Sequence, residues 1–424
     1  MNTPRVGRRW LTLFTLAWLI IWMVQLTPLQ LLLPLQLDSQ ISGDGDQWVR
    51  GVVISGLILG VGGLVGVIAG PLAGALSDRT RASRFPAWLG GRRRVWALAG
   101  IWLTTVCLVL TGFAHQPLLV GLAWIGVSGG VAVAAAAFTA LIADQLPPDQ
   151  RGAAAASVGS SQAAGIVLGV GVVVTLGLSV LAGYLFLAAL IAVVGTVAAL
   201  GLPDPRSPGQ VRAAVAERDP LRSLRDRDFA WMLLGRLVTN IGNALGTSLF
   251  LFFLLYGLFQ PTETAEGNLL LLVVVYTVFV VISSVISGIY SDRSGRRRIP
   301  TVLAAMVQAV SGVMIVIHPS FTATLIAAAL MGVGYGAFST VGLAFATDLL
   351  PHQEDHGRDL GVVNVAAALG QLLGPILGAG LVAAVGGFWL LFLTATVVSV
   401  IGGALTLLAR ERPGVLETVT TIGT

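Results

Sequence analysis

Twelve apolar runs divide this 424-residue chain almost completely between them. A bilayer span takes about 20 consecutive apolar residues. The runs lie near residues 10–37, 50–76, 95–113, 117–142, 153–176 and 179–201, then near 229–259, 268–290, 299–317, 321–346, 361–385 and 388–409. Only 11% of the residues are charged and the mean hydropathy is +0.88, against about 25% charged in an ordinary soluble domain. A soluble fold is excluded, and no separate soluble domain fits beside the spans. The expectation is an all-α integral membrane protein of twelve transmembrane helices in two six-helix halves. Arg5, Arg8 and Arg9 before the first run resemble the start of a signal peptide, but the run continues to about Leu37 without a small-residue cleavage site. It reads as an uncleaved first span.

The basic residues set the orientation. All 25 are Arg, and 23 of them fall on one side of the twelve-span layout. Arg50 lies at the opposite edge and Arg236 inside a span, while the opposite loops carry Asp38, Asp44, Asp46, Glu263 and Glu266. Short Arg-rich loops stay cytoplasmic, so both termini are expected in the cytoplasm. The formal charge of +5 then serves topology and contact with membrane lipid, not nucleic acid. The domain reading is residues 1–202 for the first half, 203–228 for a cytoplasmic linker rich in Arg, 229–409 for the second half and 410–424 for a cytoplasmic tail. Abundant Ala, Gly, Val and Arg with no Lys suggests a high-GC bacterium, hence its inner membrane, and a monomer is expected. Cys107 is the single cysteine, which excludes a disulfide framework and a Cys-based metal site. No metal-ligand spacing, nucleophile–base pair or phosphate loop is found in the spans, so neither a cofactor nor an enzyme is expected.

The two halves repeat each other. Arg92-Arg93-Arg94 recurs as Arg296-Arg297-Arg298, and Asp144 with Pro147 recurs as Asp348 with Pro351, all at an offset of 204. Asp78-Arg79 recurs as Asp292-Arg293 at 214, the extra ten being an insertion at residues 80–89. Both copies read Gly-x-x-x-Asp-Arg, followed by a Gly and an Arg cluster: Gly74, Asp78, Arg79 and Arg92 in the first, Gly288, Asp292, Arg293 and Arg296 in the second. In physical terms, the Gly admits a close helix, the Asp can face a helix N-terminus and the Arg cluster meets the anionic inner leaflet.

This loop resembles that of the major facilitator superfamily, and the resemblance covers essentially the whole chain. It implies carriage of a small-molecule solute by rocking two halves about a central site, with those eight residues as gating loops that hold one state. The inserted loop, residues 77–94, is similar to the glycoside-pentoside-hexuronide and sucrose carrier branch, which implies a sugar or glycoside. Residues 48–77 nevertheless hold no acid and residues 124–143 no Arg, both of which sugar symporters of that branch place there. The exporter signature of a Gly-rich fifth span lacks its proline at residues 159–171, while Gly374-Pro375 stands in the eleventh. Glycines of this kind permit close helix packing.

Polar side chains within spans mark a cavity. Arg236, Asn240, Asn243 and Thr247 share one helix face. Gln25 and Gln36 share a face of the first span, with Pro28 and Pro34 as kinks between them. Trp124, Ser128 and Thr139 line the fourth, Tyr276, Ser283 and Ser287 the eighth, Tyr335 and Ser339 the tenth, and Asn364 and Gln371 the eleventh; Gln162 corresponds to Gln371. Arg236 cannot lose its proton: it suits an anionic or hydroxyl-bearing solute, or else a structural role paired with Asp348 or reaching the inner interface. Asp38, Asp144 and Asp348 are the candidates for coupling to H+ or Na+, with uniport also open. Three functions fit: a carrier of sugars or glycosides, an exporter of drugs or metabolites, and a non-transporting sensor or lipid-handling protein on the same fold.

Overall fold

The computed structural model describes residues 5–41, 47–80, 86, 90–204, 225–349 and 356–411, without the side chains of 148–149, 356–362, 364 and 367. Within these, twelve helices have the length and apolarity of a membrane span. They are α1 Arg8–Ile41, α2 Trp48–Arg79, α3 Arg92–Phe113, α4 Pro117–Gln145, α5 Pro148–Thr175 and α6 Val180–Gly201, then α7 Arg227–Gly257, α8 Thr262–Ser294, α9 Arg298–Ile317, α10 Phe321–Asp348, α11 His356–Val385 and α12 Trp389–Leu407. No strand occurs among the described residues. With no water in hydrocarbon to take up free backbone groups, each span must bond its own N–H and C=O groups, and a helix does so within itself.

Pro28 does not break α1. The helix passes through it as a π segment, Pro28–Leu32, which absorbs the missing N–H and adds a residue to the turn. One extra residue rotates everything beyond it by roughly 100°. Gln36 consequently turns into α3, where its Nε2 donates to the carbonyls of Thr111 at 2.8 Å and Ala114 at 3.1 Å. Gln25, before the π segment, stays half-buried. The expected shared face of Gln25 and Gln36 is thereby lost, because a straight α register does not hold across Pro28.

The chain divides into two compact units, Met1–Ala216 and Glu217–Thr424. In the first, α4 packs against α2 and α3, α6 against α3, and α1 against α5; in the second, α10 packs against α8 and α9, α12 against α9, and α7 against α11 and α12. Apart from α12 on α7, which α6 echoes through its π segment Ile191–Gly195 on α1, these are the same pairings shifted by six helices. The likeness extends to single atoms. A Cβ on Gly130 would stand 2.8 Å from the Thr104 nitrogen and 2.9 Å from the Gly100 carbonyl; one on Gly334 would stand 2.8 Å from the Gln308 nitrogen and 2.7 Å from the Ala304 carbonyl. All three residue pairs are 204 apart, so the sequence repeat is also a repeat of helix crossings. Lipid gives apolar side chains no reason to leave it, and these crossings hold instead by backbone-to-backbone approach that only glycine allows.

Gly130→Ala and Gly334→Ala are each expected to cost about 1–3 kcal/mol, the range for overpacking a filled contact, and to lower the Tm of the purified protein. Gly74→Ala, where a Cβ meets open space, should leave the Tm unchanged in the same thermal unfolding measurement.

Candidate functional site

The second unit gathers most of the predicted polar residues. α7 starts from an Asp226 cap, whose side chain accepts the Phe229 N–H at 3.1 Å. Nine residues past its first residue, about 14 Å of helix, stands Arg236. Its side chain is buried, with the residue 8% exposed, and it turns toward α10. There Nη1 donates to the Ser339 carbonyl over a long 3.4 Å, while Nε is buried without an acceptor. The expected ion pair with Asp348 does not form: Asp348 takes the Nε of Arg297 at 3.2 Å.

Two turns on, Asn243 and the Tyr276 hydroxyl of α8 are within 3.3 Å of each other, and either can donate. The Tyr276 ring stacks on that of Tyr335 from α10, centroids 6.3 Å apart. Tyr335 in turn faces both Arg236 and Gln371 of α11. Four helices thus bring Arg236, Asn243, Tyr276, Tyr335 and Gln371 into one chain of contacts. Its base is buried, the two tyrosines are half-buried and Gln371 is exposed, so the cluster is reachable from one side. Such an arrangement offers a cation, amide and hydroxyl hydrogen bonds and a pair of ring faces, and no nucleophile.

Other candidates fall elsewhere. The Asn240 amide donates to the Arg236 carbonyl at 2.7 Å, and α11 packs on it so closely that a Cβ on Gly370 would lie 2.5 Å from the Asn240 Cβ. Asn240 therefore serves the α7–α11 contact. Trp124 is 2% exposed, packed with Ser128 over Gly62. Gln162 is exposed on α5, and Gln25 has no hydrogen-bond partner among the described residues. The side chain of Asn364 lies outside the described residues. The repeat itself explains this imbalance between the units. Gly62 corresponds to Tyr276 at the 214 offset, and Ser128 to Gly332 at 204; bulk sits on α4 in the first unit and on α8 in the second.

At the helix ends that carry the Arg clusters the two units agree. Arg93 is the hub of the first: it donates to Asp78 at 2.6 Å, Asp144 at 2.9 Å and Ser77 at 2.9 Å. Arg297 repeats the pattern with Asp292 at 2.7 Å, Asp348 at 3.2 Å and Ser291 at 2.9 Å. The sequence reading named the neighbours Arg92 and Arg296 and missed these two. Arg92 does hold the Asp78 carbonyl at 2.8 Å, whereas the side chains of Arg79, Arg293 and Arg296 are exposed without a partner among the described residues. The signal that finds Arg93 is the second helical position of α3, which faces back onto Ser77 and Asp144. Gly74 makes no close approach, whereas a Cβ on Gly288 would stand 3.3 Å from the Thr340 side chain, a tight contact. Nor are Asp78 and Asp292 the acids at helix N-termini. That position belongs to Asp204, which accepts the Arg94 N–H of α3 at 2.8 Å, and to Glu411, which accepts the Arg297 N–H at 2.7 Å and that of Arg298, at the start of α9. Of the coupling candidates, Asp144 and Asp348 are engaged by these arginines, and Asp38 is half-buried near the C-terminal end of α1, where it too is engaged.

The family model of the Major Facilitator Superfamily matches residues 82–265 and, in a second placement, residues 237–421. The chain belongs to this superfamily. No curated protein sequence matches it. Among solved structures it is similar to the nucleoside transporter NupG (13% identity, TM-score 0.71, 95% of this chain and 99% of that one). It is also similar to a bacterial homologue of the human lysosomal transporter Spinster (14%, 0.73, 95% and 98%) and to a D-xylose-proton symporter (16%, 0.71, 95% and 97%). At these identities the likeness is one of fold. This superfamily member is a multi-pass membrane transporter with a small-molecule substrate, not an enzyme.

Arg93→Gln should lower stability by about 1–3 kcal/mol. A fully buried pair would lose more, but Asp78 and Asp144 are 60% and 41% exposed and solvent screens them. Arg297→Gln should cost less, its side chain being 19% exposed against 6% for Arg93, and Arg79→Gln should stay within about 0.5 kcal/mol. Thermal unfolding of the three variants checks the order. Burial holds the Asp204 carboxyl above the usual carboxylate range, against the pull of the Arg94 backbone N–H and charge. A raised pKa means that the stability tied to this group is full below about pH 4 and falls as pH rises through the shifted value. Asp204→Asn keeps the acceptor and should flatten that slope, while Asp204→Ala should flatten it too and in addition cost about 1 kcal/mol at low pH.

Proposed function

We propose that this chain is a secondary transporter that moves a small hydroxylated organic solute, a sugar or glycoside among them, by alternating access. The observation that carries the reading is the cluster of Arg236, Asn243, Tyr276, Tyr335 and Gln371. Polar side chains are costly in a bilayer and are kept there for a ligand, a pathway or each other. Amides and phenols are the groups that hydrogen-bond hydroxyls, and stacked rings present an apolar face to a sugar or base. The loop at residues 77–94, similar to that of glycoside-pentoside-hexuronide and sucrose carriers, supports the sugar class.

In this reading Arg93 and Arg297 tie the inner-end loops, and their breaking and reforming accompanies the change of state. Asp38, Asp144 and Asp348 are the candidates for coupling to H+ or Na+, and Asp144 and Asp348 also belong to those ties. The Arg distribution supports cytoplasmic termini, the Lys-free composition a bacterial inner membrane, and the Arg-rich inner loops contact with anionic lipid. The protein acts as a monomer.

Reconstituted into proteoliposomes, the protein should exchange in counterflow at least one labelled solute drawn from pentoses, hexoses, glycosides, nucleosides and their carboxylated or phosphorylated forms. Asn243→Ala and Tyr276→Phe should each weaken half-saturation about threefold to tenfold, the loss of one hydrogen bond of 0.5–1.5 kcal/mol, with Tm little changed. Solute that binds the purified protein and is never exchanged would turn the reading to a sensor.

A further inference from the structure

Arg236 poses a problem that the rest of the second unit does not solve. A guanidinium stays charged in any protein, so burial cannot neutralise it, and an unpaired buried charge costs several kcal/mol. It has five N–H donors; the structure gives one of them a carbonyl at 3.4 Å and leaves Nε with nothing. Escape to the inner interface is not what the side chain does. The carbonyl it touches, Ser339, lies nine residues short of the end of α10 at Asp348, about 14 Å of helix.

The acids of this unit whose side chains are described are all engaged elsewhere or far off along their helices. Asp292 and Asp348 hold Arg297, Asp228 accepts the Arg410 N–H at 3.1 Å, Glu411 sits on the start of α9 and Asp226 caps α7. Glu263 and Glu266 stand at the first turns of α8 and face each other. The titratable side chain that faces Arg236 across the cluster is Tyr335, stacked on Tyr276, and a phenol supplies no counter-charge.

We infer that this cluster is an anion site: the solute carries one carboxylate or phosphate group that meets the Arg236 guanidinium, with its uncharged body against Tyr276, Tyr335 and Gln371. The inference rests on the carrier reading above and narrows it. A neutral sugar would hydrogen-bond the cluster yet leave the charge unmet. An anion supplies the missing acceptors in bidentate form, the geometry that suits a guanidinium. The selectivity follows from the same arithmetic, since a neutral analogue of the same shape forfeits the charge-assisted bonds.

Thermal unfolding of the full chain in detergent, at constant ionic strength, tests this with paired probes, D-glucose against D-gluconate and uracil against orotate, and with chloride and inorganic phosphate as inorganic anions. An anion should raise the wild-type Tm in a saturable manner while its neutral partner does not. Arg236→Gln should unfold no lower than the unliganded wild type and bind that anion at least tenfold more weakly, and Arg236→Lys should fall between. A saturable response confined to chloride or phosphate identifies a resident inorganic ion, and one to gluconate or orotate an organic solute; both place an anion at the site. Equal responses to a neutral probe and its anionic partner, an unchanged response in Arg236→Gln, or no saturable response to any anion would overturn the inference. Counterflow of the stabilising solute separates the two readings: binding without exchange removes the carrier and keeps the anion site, whereas exchange of neutral solutes alone keeps the carrier and removes the anion.

Discussion

Hydrocarbon offers no partner to a polar group, and this structure is organised around that fact. Each backbone donor and acceptor must be met within its own span, which makes every crossing helical and lets α1 carry Pro28 only by opening into a π turn. The same medium removes the ordinary reason for apolar helices to associate. What joins them is close backbone approach at small residues, as at Gly130 on α3 and Gly334 on α9. A charge in such a medium is conspicuous, and Arg236 stands out because its surroundings do not meet it.

The two units share one packing scheme and depart from it where chemistry is concentrated. At the Arg-cluster ends the agreement is close: an Arg at the start of the third helix of each unit gathers a Ser, the motif Asp and the Asp at the end of the fourth. An acid beyond the sixth helix completes each end by accepting backbone N–H groups there. Nearer the middle the units diverge. The position that is Gly62 in one is Tyr276 in the other, and the large side chain moves from α4 to α8. The first unit closes over Trp124; the second keeps two tyrosines beside a cation. Duplication supplied a scaffold with two equivalent ends, and divergence made one of its halves chemically distinct.

That division bears on how a carrier of this superfamily works. The ties at the Arg-cluster ends are ion pairs with exposed carboxylates, held by modest free energies that solvent screens. The cluster around Arg236 is the opposite case: its guanidinium is buried and short of partners among the described residues, which is why we propose it as the solute site.

Much was legible from the order of residues alone, because hydropathy, Arg placement and the 204-residue repeat are one-dimensional signals that the bilayer turns directly into helices, ends and duplicated units. The face formed by Arg236, Asn243 and Thr247 was readable for the same reason, α7 being regular over that stretch. Tertiary structure decided the rest. It chose Arg93 and Arg297 over their neighbours in each Arg triplet, since the direction of one side chain at a helix start depends on what the preceding loop brings near. It separated Gln25 from Gln36, since a π turn shifts register without changing the sequence spacing. It gave Asn240 to packing, took Asp348 from Arg236 and left that guanidinium without a counter-charge among the described residues, because pairing between helices is set by their crossings and no spacing along the chain records them.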